Sequence, residues 1–227
     1  KISFWSILLF PFSFMYIIVV WIVRIPSIFK NHDKTLPVIC VGNIYLGGTG
    51  KTPLAAEIFR FLKSSGKNPS FIKKNYKYLI DEINMLQEVG DTFFAKDRIT
   101  AIGLSKSNGN DVVILDDGFQ DFSIKPNFSI LCFNSKQLIG NGFLIPSGPL
   151  RERLSAISRA DCIVINGNKT KETLEFEKKI HAKSGSKKLH FFYSKYKIKN
   201  IEKLKDKEIT AFAGIGNPVN FFDLLKE

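Results

Sequence analysis

The residues CVGNIYLGGTGKTPLAAEIF, from Cys40 to Phe59, carry the strongest architectural signal in the chain. An apolar run ending at Gly42 reads as a buried strand. Tyr45 and Leu46 lead into the turn Gly47-Gly48-Thr49-Gly50, and Lys51-Thr52 opens an amphipathic helix. Strand, glycine turn and helix in that order form a phosphate cradle. The glycines let backbone N–H groups face the phosphates, and the helix N-terminus adds a favourable dipole. Lysine reaches the β- and γ-phosphates, and threonine holds Mg²⁺. The strict pattern asks for glycine where Tyr45 stands, so the assignment rests on the strand-turn-helix context.

Working outward, the alternation of apolar runs and amphipathic stretches continues. PVICVGN, PSFIKKNY, DVVILDDGFQ, FSILCF, DCIVING, LHFFYS and EITAFAGIG read as strands. PLAAEIFRFLKSSG and KTKETLEFEKKIHAKSG read as helices. The expected class is α/β, a P-loop NTPase-like, mostly parallel, doubly wound sheet. The expected organisation is a membrane-associated helix over residues 1–30, a kinase-like core over 31–206 and the start of a small C-terminal lobe over 207–227.

The 227 residues are 44% hydrophobic, enough for a full core and against general disorder. A net charge of +12 points to an anionic partner. No basic motif interleaved with aromatics supports nucleic acid. From Phe4 to Val23 there is no charged residue. As one helix that run would be about 30 Å long, enough to cross a hydrocarbon core. Trp5, Tyr16 and Trp21 are interface-seeking aromatics, Pro11 is expected to kink the helix, and Arg24 follows at once. Cys40, Cys132 and Cys162 each sit in an apolar run without metal-ligand spacing, so buried free thiols in a reducing compartment are expected.

DVVILDD ends a buried strand with two carboxylates. At the C-terminal edge of a parallel sheet Asp116 or Asp117 would lie beside the P-loop and bind Mg²⁺, directly or through water. Gln120, just beyond, could orient water or a phosphate. A guanine-reading N-K-x-D is missing, since NKTK (Asn168 to Lys171) ends in lysine, and ATP is favoured.

These blocks, in order, resemble the tetraacyldisaccharide 4'-kinase family, the lipid A 4'-kinases of Gram-negative bacteria. The residues that carry the resemblance are the N-terminal apolar helix, VGNIYLGGTGKTP, VGD, DR, DDGFQ, GNGFLIPSGPLRE, RAD and FAGIGNP. DDGFQ with GNGFLIPSGPLRE is the most specific combination. The resemblance implies ATP with Mg²⁺, transfer to the 4'-hydroxyl of an acylated glucosamine disaccharide 1-phosphate, and a place among inner membrane lipids on the cytoplasmic face. No protein partner is implied.

The resemblance also assigns roles by position. Lys51 and Thr52 serve the phosphates and Mg²⁺, and Asp91, in VGD, matches the catalytic carboxylate that accepts the hydroxyl proton. Arg98 matches an arginine near the phosphates. Asp116 and Asp117 match the acidic pair and Gln120 the glutamine after it, while Arg151 and Glu152 match a pair at the nucleotide and metal. Several positions depart from the family. Thr92 stands for the glutamate of GDE, and Lys74-Asn75-Tyr76 stands for RGY, with short segments on either side of Asp91. The later Asp-His motif does not occur before Glu227, so the C-terminal lobe is expected to be incomplete. His32, His181 and His190 read as surface or strand residues. The competing function is a membrane-associated P-loop ATPase that switches or recruits partners, for which GNGFLIPSGPLRE has no use.

Overall fold

The computed structural model describes residues 3–28, 35–74, 80–183, 189–197 and 210–213, together with 221, 222 and 225. In chain order the elements are α1 (Phe4–Leu8), α2 (Phe10–Ile28), β1 (Val38–Gly42), α3 (Lys51–Ser64), β2 (Pro69–Lys74), α4 (Ile80–Gln87), β3 (Thr92–Ala95) and α5 (Arg98–Ser107). They continue with β4 (Val112–Asp116), β5 (Phe128–Asn134), a 3₁₀ turn (Leu154–Arg159), β6 (Cys162–Asn166), α6 (Lys171–Lys183) and β7 (His190–Ser194).

The seven strands form one sheet in the order β3-β2-β4-β1-β5-β6-β7, and every neighbouring pair is parallel. β1 sits in the middle because its side chains are wanted on both faces. Val38 and Cys40 join a cluster with Ala101 and Ile102 of α5 and Phe176 and Ile180 of α6. Val41 joins a second cluster with Ala55 and Phe59 of α3 and Leu86 of α4. Strands buried on both sides are the continuous apolar runs seen in the sequence, and the sheet is doubly wound as expected. The crevice at the C-terminal ends of β4, β1 and β5 is where the chain changes winding direction, the usual place for a ligand in such a sheet.

α4, β3 and α5 carry no sequence signal as strong as the other elements. β3 is a four-residue edge strand, only partly buried, and gives no apolar run. Conversely, Thr210–Ala213, inside the expected strand EITAFAGIG, have no regular structure. Most of the expected C-terminal lobe lies outside the described residues, as do His32 and Tyr76.

The N-terminal apolar run departs from expectation. It is broken at Leu9, and Pro11 falls in the first turn of α2, where a missing N–H breaks no helical bond. Among the described residues no helix is long and apolar enough to cross a membrane. One stripe of the helix pair is instead fastened to the body. Ser13 Oγ donates to the Leu144 carbonyl at 2.8 Å and lies 2.7 Å from Ser147 Oγ. Asn141 donates to Ser6 Oγ at 3.1 Å, and Tyr16 donates to the Arg151 carbonyl at 3.0 Å. The remaining face leaves Phe4, Trp5, Phe12, Met15 and Trp21 largely exposed.

The three cysteines are free and buried. Burial pushes the Cys40 thiol up to about 12 and the Cys162 thiol up to about 11, and raises Cys132 as well, so all three are poor nucleophiles in the folded chain.

Gly42, at the end of β1, touches the loop after β4. A Cβ there would meet Phe119 Cβ at 2.5 Å and its backbone nitrogen at 3.1 Å. Gly42→Ala is expected to lower unfolding free energy by about 1–3 kcal/mol, the usual cost of overpacking, in a urea titration. An unchanged midpoint would mean that β1 and that loop are not packed as described.

Candidate active site

β1 and β4 pair with Val41 opposite Asp116, which brings the acid that ends β4 to the mouth of the glycine turn. Gly50 adopts a left-handed φ of 83° and delivers the chain into α3. Thr52, in the first turn of that helix, donates its hydroxyl to Asp116 Oδ2 at 3.0 Å. Lys73, near the end of β2, donates to the same oxygen at 2.7 Å and also pairs with Glu82 in the first turn of α4. Burial opposes the Lys73 ammonium, but the Asp116 and Glu82 carboxylates outweigh it and hold its pKa above the ordinary lysine value.

Asp116 is 1% exposed, and its Oδ1 is buried with no hydrogen-bond partner among the described residues. An orphaned carboxylate oxygen beside a P-loop threonine fits Mg²⁺, which takes one or two protein oxygens and keeps waters or phosphates for the rest. Among the described residues no group of three or more His, Cys, Asp and Glu side chains could hold a metal by itself.

A second network fastens the turn from below. Asn43 is fully buried, and its amide donates to Thr49 Oγ1 at 2.8 Å. Its carbonyl accepts from Gln120 at 2.7 Å and from Arg151 at 3.1 Å. Leu46 donates to the Pro149 carbonyl at 2.7 Å, and Tyr45 bridges to Leu150. The segment GNGFLIPSGPLRE is therefore a buttress for the P-loop, and Tyr45 replaces the usual glycine at a position that pairs with it.

The remaining acids are already paired. Arg151 grips both Asp117 oxygens, at 2.6 and 3.2 Å. Glu152 is buried and accepts from Gln120 at 2.9 Å, Arg159 at 2.6 Å and Arg24 of α2 at 2.9 Å. The metal set expected from the sequence thus divides: Thr52 and Asp116 come together, whereas Asp117 and Glu152 are held by arginines. Arg98, expected at the phosphates, is buried and binds Asp121 Oδ2 at 2.7 Å and the Asp117 carbonyl at 2.9 Å, so it shapes the loop that carries Asp117. Lys51 opens α3 directly after Gly50, and its charge is among those that hold the Asp117 pKa down.

Asp91 is at the other edge of the sheet. Phe71 is level with both Thr92 and Ile114, so Asp91 is level with Val113, three residues short of Asp116 and two strands away. At about 3.3 Å per residue and 4.8 Å per strand the separation is about 14 Å. Asp91 there accepts from Asn110 at 3.1 Å and is anchored to β2 through its carbonyl. The acidic pair at the correct edge is Asp81-Glu82, which opens α4. It resembles the last two residues of the GDE pattern, with Ile80 in place of glycine. Lys73 and Asn43 were also missed; a lysine inside the apolar run PSFIKK is the one sequence sign of the former.

Beside Gly50 a cavity of about 730 Å³ opens at the ends of β5 and β6, lined by Ser135, Gln137, Leu138, Asn166, Thr170 and Tyr196. A second, of about 460 Å³, lies between α2 and the buttress segment, lined by Tyr16, Trp21, Arg24, Phe122, Arg153 and Arg159.

A family model described as Tetraacyldisaccharide-1-P 4'-kinase matches residues 5–91 and 81–227, the two segments overlapping where Asp81 and Asp91 lie. The chain is 40% identical over 227 residues to a tetraacyldisaccharide 4'-kinase of Pelagibacter ubique, covering all of this chain and 70% of that protein. It is 32% identical over 216 residues to that of Bradyrhizobium diazoefficiens, covering 87% and 63%. Among solved structures it is similar to LpxK from Aquifex aeolicus in complex with ATP, with a TM-score of 0.73 and 25% identity over 97% of this chain and 78% of that one. The chain thus spans roughly two thirds of the length of its curated relatives.

Asp117 and Asp121 give the site a pH signature. Burial alone would raise both, but Arg151 and the Lys51 and Arg98 charges hold Asp117 below the ordinary 3.8, and Ser123 and Arg98 do the same for Asp121. Between the folded and unfolded values only the unfolded chain is protonated. The stabilisation is therefore complete above 3.8 and is lost as pH falls through the depressed folded values. Arg98→Met, which touches both acids, should flatten this acid limb in urea titrations taken across pH. It should also lower stability at neutral pH by on the order of 2 kcal/mol. An acid limb as steep as that of the unaltered chain would contradict these pairings.

Proposed function

Because the chain belongs to the tetraacyldisaccharide 4'-kinase family, we propose that it transfers the γ-phosphate of ATP to the 4'-hydroxyl of an acylated glucosamine disaccharide 1-phosphate, giving lipid IVA in lipid A biosynthesis. The observation that carries this reading is the meeting of Lys51, Thr52, Asp116 and the Asp81-Glu82 turn at one edge of the sheet. Backbone N–H groups from Gly47 to Thr52 and the Lys51 ammonium cradle the β- and γ-phosphates. Thr52 and Asp116 hold Mg²⁺, which when bound withdraws charge from the phosphate oxygens. The cavity beside Gly50 takes the nucleoside.

Asp81, exposed at the start of α4, accepts the proton of the attacking hydroxyl, the role that Asp91 is too remote to perform. Arg151 holds Asp117 and the Asn43 carbonyl, and so keeps the turn and the loop after β4 in register. The family's partner histidine has no counterpart among the described residues. His190 begins β7 at the opposite edge, and His181 packs against Phe191.

The acceptor is both anionic and acylated, which suits the cavity under α2, with its arginines on one wall and Trp21 on another. The exposed apolar face of α1 and α2, on a chain of net charge +12, supports a peripheral or monotopic seat at the cytoplasmic face of the inner membrane.

Transfer of labelled γ-phosphate to the acylated disaccharide 1-phosphate tests the reading. Asp81→Asn is expected to reduce transfer by about 10²–10⁴-fold with ATP binding kept, the usual loss for a general base. Asp91→Asn should stay near the unaltered chain. Equal losses in the two variants would overturn the assignment of Asp81. Replacing Trp5, Phe12 and Trp21 by serine should move the protein from anionic vesicles to the supernatant on sedimentation. Undiminished pelleting would show that this face is not the anchor.

A further inference from the structure

A lysine inside a strand, 2% exposed, is expensive unless it is paired. Lys73 has two carboxylate partners: Asp116, whose side chain is 0% exposed, and Glu82, whose side chain is 48% exposed. The partner oxygen, Asp116 Oδ2, is the one that also accepts from Thr52. Any divalent ion shared by Thr52 and Asp116 therefore arrives next to a fixed positive charge 2.7 Å from the carboxylate it needs.

We propose that Lys73 is a tethered counter-ion on Asp116 that competes with Mg²⁺, so that metal affinity is set by how its ammonium is divided between Asp116 and Glu82. The inference rests on the reading of Thr52 and Asp116 as the metal pair. Without metal the ammonium neutralises a carboxylate that would otherwise be buried alone. When the ion arrives, Lys73 shifts toward Glu82, which has the exposure to follow it. Glu82 stands beside Asp81 on the first turn of α4, so the same shift ties metal arrival to the setting of the proposed base. Two cations on one carboxylate oppose each other, and the coupling is reciprocal.

The test is the Mg²⁺ concentration needed for half of the nucleotide-induced rise in Tm, measured at saturating ADP for the full chain and three variants. Lys73→Met keeps the length and bulk of the side chain and removes the charge. It should lower the midpoint by about tenfold, within the ordinary range of coupling between sites. Glu82→Gln frees the ammonium to sit on Asp116 and should raise the midpoint several-fold. A purely structural Lys73 gives the opposite sign, since losing an anchor weakens the site. A midpoint in Lys73→Met that is unchanged or raised overturns the proposal. If that variant does not fold, Glu82→Gln decides, and an unchanged midpoint there overturns it equally. Asp116→Asn separates the two levels. If it keeps the Mg²⁺ dependence of the unaltered chain, the metal reading itself fails. If it loses that dependence while Lys73→Met does not tighten, only the counter-ion is wrong.

Discussion

One oxygen atom, Oδ2 of Asp116, ties together the elements that make the site. Thr52 reaches it from α3 and Lys73 from β2, while the strand beneath it pairs with β1. A carboxylate buried so completely is tolerated only because charged and polar donors converge on it. That requirement fixes the geometry of its neighbours. The first turn of α3 must face β4, β2 must lie beside β4 to deliver its lysine, and Glu82 brings the start of α4 to the same edge. Parallel strands supply the arrangement, because every strand then ends at that edge.

Around this point a second layer of polar contacts couples the site to the N-terminal helix. Asn43 joins the glycine turn to Gln120 and Arg151, and Arg151 joins it to Asp117. Glu152 then gathers Gln120, Arg159 and Arg24, and Arg24 belongs to α2 and stacks on Phe122. Along this route Gln120 and Glu152 separate the Asn43 carbonyl from a helix whose outer face is apolar, and Arg151 alone links that carbonyl to Tyr16 of the same helix. Under the proposed membrane seat, this is a short mechanical path between that seat and the phosphate site. The same helix pair carries Ser6, Ser13 and Tyr16, whose hydrogen bonds hold it against the body.

Much of the fold was legible because double burial writes itself into sequence. β1, β4, β5 and β6 are largely apolar runs, and glycine, lysine and threonine mark the turn into α3. Elements that bury little, such as β3, leave no such mark. The site was legible only where function and local pattern coincide, as at Lys51, Thr52 and Asp116. At Asp117 and Glu152 the fold adds partners that the local pattern does not show, Arg151 and Arg24, and Arg24 approaches from the far end of the chain. Asp91 carried the more conspicuous local match, but register along β3 puts it at the wrong edge, and no one-dimensional pattern reports an edge. Ser6, Ser13 and Tyr16 likewise look minor in an apolar run. Their partners are about 130 residues away, at Asn141, Leu144 and Arg151.

The most direct measurement is a crystal structure of the chain with Mg²⁺ and a non-hydrolysable ATP analogue. The account requires β- and γ-phosphates on the backbone from Gly47 to Thr52, the ion between Thr52 and Asp116, and Asp81 as the acid nearest the γ-phosphate. Asp117 and Glu152 should still hold their arginines, and Asp91 should remain at the far edge. An ion bound by Asp117 or Glu152, or a γ-phosphate closer to Asp91 than to Asp81, would contradict it.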